Sequence, residues 1–501
     1  MSMSATTDLE GPIYFFGDSL TDDGNLSPPP GLVSDEALDA YVGAGGRISD
    51  GPTYAEHVDD ILGLPESGNY AMAGAEAAGR QRLGDFIDEF SGGGQLLVSE
   101  TDPRLDLDIN LGAQIDRFAA DASGAAPEDA TGFILIGAND FLNIVGGADP
   151  AVVVPAAVAA TLSGATDLLG LGLDDAVIAT LPVPRFFPAL GELSPEQLDQ
   201  VEAISDAFAA GLAQGVGALR LLGQDVRLLD MRPISEAILD DPSGFGLIAP
   251  YGLTLKGGDQ DELARYDRDQ VAFWNPLHPS AATHGVLGAY TAFALEHDPI
   301  GLTADADHEA AGAGADLVLG LGGGDAIGLG AGSDLGFGGS GEDTILAGRG
   351  NDLASGGSQD DLLKGQRGKD VLDGDEGSDQ LSGGRAGDVL IDGLGSDLAR
   401  GGAGADRFLF TEAELVGGTT GEDEDLLIGG KGTDTLWLAL GRSTLRSLGD
   451  ELTEADPQEA LADLGIEVRG IEEIRVVAGR AGFEALSHDA WFQPADLWGL
   501  V

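Results

Sequence analysis

The sequence predicts an α/β three-layer sandwich followed by an all-β parallel β-roll and a small C-terminal segment. Apolar strand-like runs alternate with helical stretches over residues 12–298, the texture changes abruptly near residue 312, and aspartate then recurs every nine residues through a glycine-rich tract. Alternation of strand and helix buries both faces of a parallel sheet under helices. A strict short period marks a stack of identical small units.

In chain order, Ile13–Phe16, Phe133–Ile136, Ala176–Leu181 and Val226–Leu229 read as buried parallel strands. The uncharged run Ala151–Thr166 follows Asp149-Pro150, an N-cap and first-turn signal, and contains Pro155. It is too short to span a bilayer and reads as a helix of a soluble domain. Ser194-Pro195-Glu196-Gln197 opens a second helix running to Leu222, with a capping serine and proline at the first helical position. Pro279–Leu295 closes the first domain, 1–298, as another helix. Residues 299–312 are small, acidic and rich in Gly and Ala, and read as a linker. The roll then occupies 313–411, and 412–501 holds one further nonapeptide and a cap.

The chain has 501 residues, no cysteine, and 25 basic against 86 acidic residues, a formal charge of −61. Disulfides and thiolate metal sites are therefore excluded. The charge opposes nucleic acid and anionic membrane surfaces as partners. Acidity is spread widely, since Arg47 is the sole base in the first fifty residues. Met1–Glu10 has neither a basic region nor an apolar core, so it does not read as a secretory signal. No transmembrane segment is expected.

Asp316, Asp325, Asp334, Asp343, Asp352, Asp361, Asp370, Asp379, Asp388, Asp397 and Asp406 stand nine residues apart, and Asp434 lies in a separate unit, Gly429-Gly-Lys-Gly-Thr-Asp434. Six residues form a tight turn that glycine permits, and three form a minimal strand with one apolar side chain inward. Aspartates stacked along the turns repel one another unless a cation bridges them, and oxygen-only donors suit calcium. Gln359 and Ala386 depart from the pattern at the third glycine position. Gly336, Ala354 and Ala399 replace the inward apolar residue, with Leu335, Leu353 and Leu398 one place earlier. The pattern resembles the repeat-in-toxin (RTX) nonapeptide Gly-Gly-x-Gly-x-Asp-x-U-x. The resemblance implies calcium shared between turns two repeats apart, as for Asp334 with Asp352 and Asp343 with Asp361. It further implies a secreted bacterial protein, exported by a type I secretion apparatus through an uncleaved signal in roughly the last fifty residues.

In the first domain, Ile13-Tyr-Phe-Phe-Gly-Asp-Ser19 carries an apolar strand into a polar turn whose first hydroxyl is Ser19. A serine nucleophile needs a base, an orienter for that base and donors for an oxyanion. Asn139 follows directly on a strand, Gly74 sits in the small-residue turn Asn69–Ala75, and His278 precedes Pro279 in Phe273-Trp-Asn-Pro-Leu-His278. These blocks in this order resemble the GDSL (SGNH) esterase and lipase family, whose sheet is flavodoxin-like. The resemblance implies Ser19 as nucleophile, His278 as general base, and an oxyanion hole from the N–H groups of Ser19 and Gly74 with the Asn139 side chain. Asp22, Gly24 and Asn25, together with Gln114-Ile-Asp-Arg-Phe118, are similar to the lipase and phospholipase branch. The family usually places aspartate three residues before the histidine, where this chain has Asn275, leaving a Ser–His pair steered by Asn275 or by a backbone carbonyl. Asp267 and Asp269 lie nearby in sequence. Asp18 and Asp140 read as turn braces, Trp274 as packing beneath the histidine loop, and the remaining histidines as structural or surface residues.

The expected function is a secreted, calcium-stabilised serine ester hydrolase acting on a lipid or small acyl ester. The fold also hosts polysaccharide deacetylation, and Asn275 leaves room for a non-catalytic calcium-binding surface or matrix protein.

Overall fold

The structure, a computed structural model, describes residues 11–23, 49–64, 67–73, 75–79, 82–83, 103–122, 127, 129–191, 193–245, 247, 253–256, 258–259, 263–264, 271–411, 424–448, 452 and 457–478. The chain divides into two compact units, Met1–Ser235 with Pro250–Glu296, and Glu236–Ala249 with His297–Val501.

The first unit is built on β1 (Ile13–Gly17), α1 (Tyr54–Leu62), β2 (Gly68–Asn69), α2 (Leu111–Asp121), β3 (Thr131–Leu135), α3 (Ala138–Val145), α4 (Pro150–Gly170), β4 (Asp175–Ala179), α5 (Pro195–Leu221), β5 (Val226–Leu229), the start of α6 (Arg232–Asp240, of which Arg232–Ser235 lie in this unit), β6 (Phe273–Asn275), β7 (His278–Pro279) and α7 (Ala281–Glu296). Its sheet has the order β2-β1-β3-β4-β5, every pair parallel. All four strands read from the sequence are present. β2 was not foreseen, because two residues at a sheet edge carry no periodicity. Phe15, Phe133 and Tyr54 pack ring against ring in the core under β1.

Helix signals act as expected. The Asp149 side chain accepts from the Ala151 N–H, and the Ser194 hydroxyl accepts from the Gln197 N–H in a full capping box. By length and composition α4 alone, among the described residues, could cross a membrane. It packs instead on β3, β4, α2 and α5, with Gly164 seated on Leu111 and Ile115 and Leu162 against Gly215 of α5. The helix expected from Pro279 begins at Ala281, because His278 and Pro279 form β7, antiparallel to β6.

In the second unit successive strands go to opposite sheets, so strands two repeats apart are neighbours and all pairs are parallel. The register advances 18 residues per step, as in Leu335↔Leu353↔Val371↔Val389↔Arg407. Central strands such as Thr344–Arg349 run six residues rather than three, because pairing continues through the turn glycines. Ile345, Leu363, Leu381 and Leu427 fill the interior with Leu372, Leu390 and Phe408. Ala354 and Ala399 keep the inward phase, and Gly336 lies against Leu329 and Ile345.

Two boundaries are corrected. Residues 299–312 are not a linker: Ile300–Gly301 and His308–Ala310 pair with Leu317–Leu319 and Ala326–Gly328 as the first rungs of the roll. Asp307, nine residues before Asp316, donates its N–H to Asp325 Oδ1 at 2.7 Å and starts the ladder. Likewise Glu236–Ala249 belongs to the second unit, not to the first domain. Phe245 stacks on Phe337 at 4.5 Å, and the Ser355 hydroxyl donates to Asp241.

Candidate active site and cation-binding turns

β1 ends where a side chain cannot fit. A Cβ on Gly17 would fall 2.2 Å from the Leu135 carbonyl oxygen. Gln114 of α2 clamps the same residue, accepting its N–H at 2.9 Å and donating to its carbonyl at 2.8 Å. After this fixed point Asp18 folds the loop. Its carbonyl accepts from the N–H groups of Thr21 and Asp22, and its Oδ1 accepts from Leu20. Ser19 is thereby held on a tight turn at the C-terminal end of β1, beside β3 where the strand order reverses, the usual place for chemistry in an open parallel sheet.

The surrounding loops are laced to this turn. Asp18 Oδ2 accepts from Ala138 N–H at the start of α3, and Asp22 Oδ2 accepts from Ala73 N–H at 2.8 Å. Asn69 donates to the Thr21 carbonyl, and Asp140 accepts from Ala77 N–H. Asn139 donates one amide hydrogen to the Ala75 carbonyl at 2.9 Å, which fixes the amide and leaves its second hydrogen for another acceptor. Gly137, at φ 126°, needs glycine to turn β3 into α3. Gly74, Gly24, Asn25, Asp267, Asp269 and His488 lie outside the described residues.

The β6–β7 hairpin brings His278 across. Its Nε2 is 2.9 Å from Ser19 Oγ, and its Nδ1 is 3.0 Å from Asn275 Oδ1. The same amide oxygen accepts the backbone N–H groups of Leu277 and His278. An Nδ1–H donated to Asn275 fixes the tautomer in which Nε2 accepts the serine proton. Burial pushes His278 down to about 4, and among the described residues no carboxylate opposes that shift. Burial also pushes Asp18 up to about 6 and Asp140 up to about 7, against the pull of the N–H groups they accept. Both brace loops, as their sequence context suggests. His284 is structural: its Nδ1 accepts from Tyr54 N–H at the start of α1, and burial pushes it down to about 3.

The residues missed from the sequence are positioning ones. Gln114 and Asp22 were noted only through a family pattern, and nothing in their local spacing reveals a clamp on Gly17 or on the 69–75 loop.

In the roll the pairing of turns two repeats apart is direct. Asp334 N–H donates to Asp352 Oδ1 at 3.0 Å, and Asp343 N–H to Asp361 Oδ1 at 2.7 Å. The same bond joins Asp397 to Asp425 and Asp406 to Asp434 across the insertion that breaks the period. Asp425 was missed, although it stands nine residues before Asp434. In each case the second oxygen is the informative one. Oδ2 of Asp334, Asp343, Asp352, Asp361, Asp370 and Asp388, among others, is buried without a hydrogen-bond partner. Burial first, then neighbouring aspartates, pushes Asp334 up to about 7 and Asp361 up to about 9. A Cβ on Gly338 would lie 2.4 Å from both Asp343 Oδ2 and the Gly356 carbonyl oxygen, so an orphaned carboxylate oxygen and a carbonyl converge on one small space. Oxygen-only donors of this kind fit calcium. Among the described residues no three carboxylates or histidines form a ready-made cage, so each turn offers aspartates with carbonyls.

Comparison with known proteins agrees with both halves of this description. Residues 13–290 match the family model for GDSL-like lipase/acylhydrolase. Segments between residues 329 and 445 match the RTX calcium-binding nonapeptide repeat. Similar solved structures include a tryptophan-to-isoleucine mutant of Axe2, an acetyl-xylooligosaccharide esterase from Geobacillus, at 17% identity and TM-score 0.30 over 58% of this chain and 98% of that one. Two catalytic mutants of Axe2, described as an acetylxylan esterase from Geobacillus stearothermophilus, follow at 16% identity, TM-score 0.29 and the same coverage. Comparison with curated proteins gives no significant match.

Proposed function

We propose that this chain, which belongs to the GDSL-like lipase/acylhydrolase family, is a calcium-stabilised serine ester hydrolase that works outside the cell. The observation that carries the reading is the relay Ser19 Oγ–His278 Nε2 with His278 Nδ1–Asn275 Oδ1, at 2.9 and 3.0 Å. In the proposed reaction Ser19 Oγ attacks the ester carbonyl as its proton passes to His278 Nε2. The oxyanion is held by the N–H groups of Ser19 and Gly74 and by the remaining Asn139 amide hydrogen. His278 returns the proton to the leaving alkoxide, and water, activated in the same way, hydrolyses the acyl-enzyme.

Calcium has no part in these steps. Bound between turns such as Asp334–Asp352, it would neutralise buried carboxylates and hold the roll folded. Secretion through a type I apparatus rests on the repeats. The acyl and alcohol parts of the substrate are a lipid or small acyl ester by family membership.

Covalent labelling by a fluorophosphonate tests the reading. Native protein is expected to label at one site and Ser19→Ala not at all. Absence of labelling in native protein overturns the enzyme reading in favour of a non-catalytic calcium-binding protein.

A further inference from the structure

At one position of the repeat a single turn of the roll departs from the others in charge. The residue five places before each ladder aspartate faces that aspartate's outer oxygen. A Cβ on Gly365, Gly383 or Gly401 would fall 2.4 Å from Oδ2 of Asp370, Asp388 or Asp406. From Asp316 to Asp406 this position holds Gly, Ala311, Leu329 or Ala347, except before Asp397, where it is Asp392.

Asp392 is 2% exposed, and its Oδ2 has no hydrogen-bond partner. Its Oδ1 accepts from Gly393 N–H. Burial weighs most against its charge, Asp425 and then Asp397 add to the penalty, and among the described residues no base offsets it. Asp397 and Asp425 are themselves joined, N–H to Oδ1, at 3.0 Å. The strand is also disturbed here. Pairing with Val371–Glu376 stops at Asp373↔Ile391 and resumes only as a single bridge, Glu376↔Leu394. A buried carboxylate beside two others, with no internal partner, is held at a cost that a cation would remove. Among the described residues the three carboxylates do not form a ready-made cage, so backbone carbonyls of the turns would complete the ligand set.

We propose that Asp392 is a third carboxylate ligand at the Asp397–Asp425 turn, making this the tightest divalent-cation site of the roll. Calcium loops tune affinity through ligand charge, so a third carboxylate strengthens the site above turns that offer two. The site also adjoins the insertion, where the ladder skips its period between Asp406 and Asp425. An ion held firmly there would secure the last rungs before the cap.

The inference rests on calcium binding by the repeats, and the experiment separates the two. Calcium titration of the full chain by calorimetry, after chelation and desalting, is compared for native protein, Asp392→Gly and Asp392→Asn. Glycine restores the repeat pattern, so that variant removes the charge without crowding the turn. Native protein is expected to show one site at least tenfold tighter than the rest, lost in both variants while weaker sites persist. Weaker sites without a tight one in native protein, or an equal or tighter first site in Asp392→Gly, would mean that Asp392 is only a defect in the repeat. No calcium uptake by native protein overturns the calcium reading of the roll itself.

Discussion

Both units bury carboxylates, and they answer them differently. In the catalytic unit Asp18 accepts N–H groups on both oxygens, while Asp22 and Asp140 each receive one from a facing loop. In the roll the ladder aspartates from Asp325 to Asp406 each have one oxygen answered by the turn two repeats back, and nearly all have the other left buried and without a donor. An unanswered buried acceptor costs about 1–3 kcal/mol, more when charged. The loop-bracing carboxylates of the first unit are therefore answered by its own N–H groups, whereas the ladder of the second is written for an ion supplied from outside.

The largest effect that tests this division is Ser19→Ala. Turnover of nitrophenyl esters is expected to fall by at least about 10⁴-fold, as when the nucleophile of a serine triad is removed. The calcium response of the roll, followed by circular dichroism, should not change. A variant that loses calcium response along with activity would break the separation.

Chelation is the converse. Hydrogen exchange is expected to show amide protection in residues 317–411 falling by about 100-fold or more on calcium removal, the stabilisation that one ion supplies at about 100 times its Kd. Protection in β1, β3, β4 and β5 should remain. Equal protection of the roll with and without calcium would show that the orphaned oxygens are tolerated.

Asn275 is the place where the first unit is least complete. Three N–H groups converge on one neutral oxygen, an arrangement that would favour a carboxylate. The tautomer of His278 is already correct, so the missing element is charge on the group facing the imidazolium. Asn275→Asp is expected to raise turnover by about 10–100-fold, or about 1.4–2.7 kcal/mol of barrier. It should also shift the pH profile. His278 must be neutral to act as base, and burial holds it down to about 4. The acid limb of kcat/KM in the native enzyme therefore lies near pH 4, not near 6.5, and a carboxylate at 275 moves it upward. A fall in turnover would make the amide itself the functional group.

What could be read from the sequence follows from the range of each signal. Four strands, two capped helices and the nine-residue phase are local, written in neighbouring residues such as Ser194-Pro195 or Ile13–Phe16. Ser19 and His278, which the fold brings within 2.9 Å, could be picked out because each sits at the end of a strand or in a turn of recognisable composition. Gln114 on Gly17, Asp22 on Ala73 and Asn139 on Ala75 join residues far apart in sequence, and only the fold brings them together. Asp307 and Asp425 were missed for a different reason. Each keeps the nine-residue step to one neighbour, but Asp307 has none of the three expected glycines before it and Asp425 has only Gly421.

The smallest expected effect is a control on the same contrast. The Ser194 hydroxyl accepts from Gln197 N–H at 3.3 Å, and Gln197 returns a bond to Ser194 N–H at 3.1 Å. This capping box opens the 27-residue α5, which buries Val201, Phe208 and Leu212. Ser194→Ala removes an exposed cap and costs about 1 kcal/mol. For a unit of this size that lowers Tm by about 2–4 °C. Because every group involved is satisfied within the first unit, the shift in its unfolding should be the same with calcium and with chelator. A shift that grows on chelation would mean that the first unit draws stability from the ions of the roll, and the two units would then not be independent in their polar bonding.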